Sequence, residues 1–176
     1  MTDRSSVVVA IGGVIAMLLQ IVVAPNIAIS YAMPNFALAY VLALAVTRPT
    51  RPCIVPAFVM GIAFNLFAGG PVGGMAFLLV LAAFLISRAF TVVTNDTMFM
   101  PILAIVVASV AVEFFYGGLV VATGTDGVGL FDAFLLRALP CALYDCVAGL
   151  VLLPLVMKFV VARDASHAPI GTTTLR

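Results

Sequence analysis

Ala57-Phe-Val-Met-Gly-Ile-Ala-Phe-Asn-Leu-Phe-Ala-Gly-Gly-Pro-Val-Gly-Gly-Met-Ala-Phe-Leu-Leu-Val-Leu-Ala-Ala-Phe-Leu-Ile-Ser-Arg88 carries a single charged residue, the arginine that ends it. Two apolar runs meet there at Gly69-Gly-Pro-Val-Gly-Gly74. We read them as two helices, one from about Cys53 to Ala68 and one from about Gly73 to Ser87, joined by a glycine-rich turn. The rest of the chain has the same character. Of its 176 residues 65% are hydrophobic, mean hydropathy is +1.31 and only 9% are charged, against about 25% in an ordinary soluble domain. A soluble domain of this size could not hide so much apolar surface. The composition excludes a soluble enzyme, a nucleic-acid binder and a disordered regulator. One bilayer span takes about 20 residues, so the apolar supply suits about six spans. The fold class is an all-α integral membrane protein, a single bundle of about six transmembrane helices with very short loops.

The other spans are placed by their breakers. Val7 to Ala24 is an apolar run longer than the 7–15 residues of a signal-peptide core, so it is read as an uncleaved first helix. Pro25 and Asn26 break it. Residues 27–33 are either a short external connection or the start of the next helix. Pro34 suits a first helical turn, and span two runs from there to about Val46. The basic loop Thr47-Arg-Pro-Thr-Arg-Pro52 follows. Arg88 lies just past the end of span four. Span five is about Phe99 to Val121, and residues 123–129 form a flexible loop. Span six is about Phe131 to Val161, long enough to begin with a short interfacial helix. Residues 1–162 form the membrane domain, and 163–176 are a polar, disordered cytoplasmic tail.

Charge placement sets the orientation. With six spans, the N-terminus, the 47–52 loop, the 88–98 loop and the C-terminus share one side. That side collects Arg4, Arg48, Arg51, Arg88, Lys158, Arg163 and Arg176, seven of the eight basic residues. The opposite loops, 25–33, 69–73 and 122–130, hold no Lys or Arg. The positive-inside rule then puts both termini in the cytoplasm of a multi-pass membrane protein.

The remaining arginine, Arg137, falls within a span, as do Glu113 and Asp145. Glu113 lies ~12 Å below the outer end of span five and Arg137 ~9 Å below that of span six, counted at 1.5 Å per residue. An Arg137–Glu113 ion pair between these antiparallel neighbours is expected. Asn65 is expected at similar depth, and Asp145 ~12 Å deeper than Arg137 on nearly the same helix face. Asn65, Glu113, Arg137 and Asp145 are thus the candidate intramembrane polar cluster. Such a set either lines a path for a proton or substrate, or staples the bundle or meets a partner helix. The second reading is preferred, because proton-driven transporters usually show more intramembrane carboxylates.

Other motifs are sparse. Cys53, Cys141 and Cys146 read as small apolar fillers. His167, the sole histidine, falls in the tail. The Ser and Cys residues have no adjacent base, so no nucleophile, metal set or cofactor site is expected. Gly61, Gly69, Gly70, Pro71, Gly73 and Gly74 are candidates for helix packing and the turn. Gly12 and Ala16 have small-xxx-small spacing and, with Asn35, are candidates for contact with a partner.

Pro34-Asn-Phe-Ala-Leu-Ala-Tyr-Val-Leu-Ala-Leu44, the basic loop after it and the 57–88 stretch together resemble the rod shape-determining protein MreD family. Gly61, Asn65, Gly69, Gly70, Pro71, Gly73 and Arg88 are the matching positions, and Leu139-Pro-Cys-Ala-Leu-Tyr-Asp145 is similar to that family's last span. The family often has Asp where this chain has Asn35 and Asn65. Both changes remove a charge and keep hydrogen bonding. The resemblance implies a non-enzymatic membrane subunit of the bacterial elongation machinery that regulates cell shape and peptidoglycan synthesis. It implies an MreC-like scaffold as direct partner, and MreB filaments, RodA and a class B penicillin-binding transpeptidase as indirect ones. Membrane lipid is a further expected contact, through the basic loops. The competing class is the substrate-binding S-component of an energy-coupling-factor vitamin transporter, which has a similar length and span number.

Overall fold

The computed structural model of the chain describes residues 4–29, 32–49, 53–68, 70–92, 99–124, 131 and 133–161. Gly69 of the predicted turn, Arg51 of the basic loop, residues 93–98 and 125–130, and the predicted tail 163–176 lie outside the described residues. The described residues form α1 Arg4–Leu18, α2 Phe36–Thr47, α3 Ile54–Ala68, α4 Gly74–Val92, α5 Phe99–Ala122 and α6 Leu139–Val156. Wider π-helical turns extend α1 over Leu19–Val23 and flank α6 at Ala133–Ala138 and Met157–Val161. Four stretches are long and apolar enough to cross a membrane: Ser6–Asn26, Gly74–Val92, Phe99–Ala122 and Leu139–Phe159. The other two helices, α2 and α3, are shorter but equally apolar.

Two boundaries differ from the sequence reading. Pro34 does not open α2. The chain before it closes a tight bridge, Ile29 N–H to Ala32 O at 3.0 Å and the reverse at 2.9 Å, and Asn35 is the residue that caps the helix. Residues 27–29 and 32–33, the described parts of the 27–33 segment, are therefore a connection and not helix. Arg88 does not follow α4 but lies inside it, because the helix runs on to Val92. No glycine or proline stands between Gly74 and Val92 to stop it, and a long side chain such as Arg88 stays exposed while its backbone remains helical.

The short helix α2 is the centre. Every residue from Ala37 to Val46 is buried, and all five other helices touch it. Its alanines, Ala37, Ala39, Ala43 and Ala45, let neighbouring backbones come close. By contrast α1 lies at the edge, with Val7, Ile11, Val14, Ile15 and Leu18 exposed. It is tied to α2 by the Tyr40 hydroxyl, which donates to the Val9 carbonyl at 2.7 Å, with Gly12 beneath the same ring.

Small residues also set the other helix pairs. In the α3–α4 hairpin Gly61 lies directly on the Ala76 backbone, where a methyl group would overlap it. The turn between these helices uses Gly70 and Gly73 at φ +96° and +82°, conformations that residues with a Cβ rarely adopt. Between α5 and α6, Gly117 faces Ala138 and Gly149 faces Ile105. Those contacts fix the antiparallel register of the two helices.

Gly61→Ala is expected to destabilise the protein by about 1–3 kcal/mol, since the α3–α4 backbones must separate to admit the methyl. Gly118→Ala is the control, because its Cβ would meet only Phe134 at an ordinary 3.9 Å. Thermal unfolding in detergent should show a lowered midpoint for G61A and an unchanged or raised one for G118A.

Candidate functional site

A helix leaves its first N–H groups without intrahelical acceptors. At twelve residues α2 is about 18 Å long, and it starts inside the bundle, where water cannot supply those acceptors. Three side chains from three parts of the chain do so. The Asn35 carboxamide oxygen accepts from the Leu38 N–H at 3.0 Å. The Phe36 N–H donates to Gln20 Oε1 at 2.7 Å. The Asn35 N–H donates to Asp145 Oδ1 at 2.6 Å. Gln20 also holds the chain on the other side of the cap, its Nε2 donating to the Pro34 carbonyl at 3.1 Å. The carboxyl of Asp145 is well placed against the partial positive charge of a helix N-terminus.

A second acid completes the group. The Asn35 amide nitrogen makes long contacts to Glu113 Oε1 at 3.5 Å and to the Met75 sulfur at 3.9 Å. Glu113 and Asp145 lie side by side, and Asp145 Oδ2 is buried with no hydrogen-bond partner among the described residues. Asp145 is 0% exposed, Asn35 2% and Gln20 5%. The cluster thus joins α1, α2, α5 and α6 at one buried point.

The structure regroups the predicted set. Asn65 is not part of this cluster. Its Nδ2 donates to the Pro71 carbonyl at 2.8 Å, so it braces the glycine turn. Glu113, which depth counting placed beside Arg137, also has Asp145 as a neighbour. The α5–α6 register set by Gly117 on Ala138 and Gly149 on Ile105 puts Glu113 level with Cys141 and Ala142, about one turn from both Arg137 and Asp145. Arg137 sits in the π-helical turn before α6 with its residue exposed, and its charge still acts on Glu113. Asn35, Gly12 and Ala16 were candidates for partner contact. Asn35 and Ala16 are buried within the chain, and Gly12, half-buried, packs on Tyr40.

Gln20 was missed. It is the one polar residue in the Val7–Ala24 run, and that isolation was the available signal. The π-helical turn Leu19–Val23 surrounds it, and such widened turns often mark special sites in a helix. Among the described residues no three His, Cys, Asp or Glu side chains are placed to hold a metal ion.

Gln20→Leu is expected to cost about 1–3 kcal/mol, because the Phe36 N–H and the Pro34 carbonyl both lose their partner. Asp145→Asn keeps an acceptor for the Asn35 N–H and should be tolerated, while Asp145→Leu should resemble Gln20→Leu. Melting of the purified variants in one detergent checks all three.

Comparison with protein families gives a match over most of the chain. The model of the family described as rod shape-determining protein MreD covers residues 4–162, nearly the whole chain. No curated protein and no solved structure matches.

Proposed function

The chain belongs to the MreD family of rod shape-determining membrane proteins, and on that premise we propose that it is a non-enzymatic subunit of the bacterial cell-elongation complex. In this reading it is a six-span protein of the inner membrane with both termini in the cytoplasm. It binds an MreC-like scaffold and through it serves MreB filaments, RodA and a class B penicillin-binding transpeptidase. Residues 1–162 are the functional unit, and 163–176 are a dispensable tail.

The observation that carries the reading is the extent of the match, which reaches from the first helix through the last. The distribution of exposed residues supports the mode of binding. Large apolar side chains stand exposed along α1 and α3, among them Ile11, Val14, Leu18, Val55, Phe58 and Val59. With so few residues outside helices, a partner has to meet the bundle itself. The intramembrane polar residues support the same side of the argument. Gln20, Asn35 and Asp145 serve a helix start, which is a structural task.

Affinity purification from the native membrane tests the proposal. An MreC-like protein should co-purify, and deletion of residues 164–176 should leave that binding intact. Recovery of an ATPase module in its place would overturn the reading in favour of transport.

A further inference from the structure

A groove of about 320 Å³ runs between α4 and α5, two helices long and apolar enough to cross a membrane. Every described side chain lining it is apolar, among them Leu81, Leu85 and Ala89 on α4 and Ala104, Val107 and Ala111 on α5. The lining covers residues 78–90 of α4 and 104–115 of α5. At 1.5 Å per residue these stretches are ~18 Å and ~16 Å long. A hydrocarbon core is about 30 Å thick, so one leaflet has roughly 15 Å of depth. The groove thus has the depth of one leaflet. Arg88 stands at one end of it, next to Ala89 and almost one helical turn past Leu85. Its side chain is exposed, and it is the single charged residue of α4. The single charged residue of α5, Glu113, is buried in the bundle. The exposed charge on this helix pair is therefore positive and lies at the groove's end.

The depth of the groove selects among occupants. A crossing helix, from a partner or from a second copy, runs the full ~30 Å of the hydrocarbon core, and the groove would seat about half of it. An acyl chain reaches through one leaflet and matches the lining end to end. The cation selects the headgroup. A phosphate forms charge-assisted hydrogen bonds with a guanidinium. A lipid of net negative charge gains more there than a zwitterionic one, whose own cation opposes the arginine. We propose that the α4–α5 groove binds one anionic phospholipid, with an acyl chain between the helices and its phosphate against Arg88. The groove uses neither α1 nor α3, so it leaves free the faces that an MreC-like partner would meet. The site is independent of the shape-determining assignment.

Native mass spectrometry of the full chain in detergent tests it, with phosphatidylglycerol and phosphatidylcholine of identical acyl chains supplied in equal amounts. The wild type should retain phosphatidylglycerol about fivefold better, the ratio expected for one basic residue near an anionic group. Arg88→Gln, at an exposed position, should bring that ratio close to one. Ala104→Phe, which fills the apolar groove and leaves the arginine in place, should lower retention of both lipids. Equal retention by the wild type overturns the proposal, as does an unchanged preference in R88Q or full retention in A104F. A mass of two copies with no lipid retained would mean that a second chain covers the groove, and overturns it too. Should A104F fail to fold, the wild-type ratio and its loss in R88Q decide.

Discussion

A helix that begins inside a packed bundle, away from water, must find acceptors for its first N–H groups within the protein. Each buried polar group left unsatisfied costs a few kcal/mol. The start of α2 meets this demand with Gln20 from the first helix, its own Asn35, and Asp145 from the last. Gln20, Asn35 and Asp145 are therefore accounted for by where one helix starts. Because the acceptors come from both ends of the sequence, the first and last helices are fixed against the central one by the same few bonds. Burial of α2 on all faces and the polar cluster at its start are two aspects of a single arrangement.

Close approach is the second constraint, and glycine and alanine supply it. Lipid offers little hydrophobic drive for helix pairing, so contact depends on how near the backbones come. Gly61 on Ala76, Gly117 on Ala138 and Gly149 on Ile105 are the points of contact. The last two also determine which polar residues of α5 and α6 meet. Packing and polar chemistry are thus linked, since the register that seats Gly149 is the one that brings Glu113 to Asp145.

The two asparagines that stand where the family pattern often has aspartate acquire a reason in this setting. Asn65 donates through its amide nitrogen to the Pro71 carbonyl, and an ionised aspartate has no hydrogen to donate. Asn35 caps α2 through its oxygen while its nitrogen points at Glu113. A carboxylate in that position would cap equally well but would add a third acid beside Glu113 and Asp145. The amide performs both tasks with no added charge.

Composition and breakers were enough to read a helical membrane protein and to place most helices, because apolar runs of span length have few other uses. The glycine turn and Pro34-Asn35 pattern were enough for the family, because they are local features of the chain. The sequence did not reveal which apolar helix is central. In a membrane protein every helix is apolar on most faces, so α2 differs only in its shortness and its alanines. Nor could it show that Gln20 matters or that Asn65 leaves the polar cluster, since each depends on a neighbour distant in the chain. The sequence by itself determined the class, the helices and the kinship. Tertiary structure alone decided which polar groups meet, because helix register is set by side-chain packing between helices, and no count along a single helix contains it.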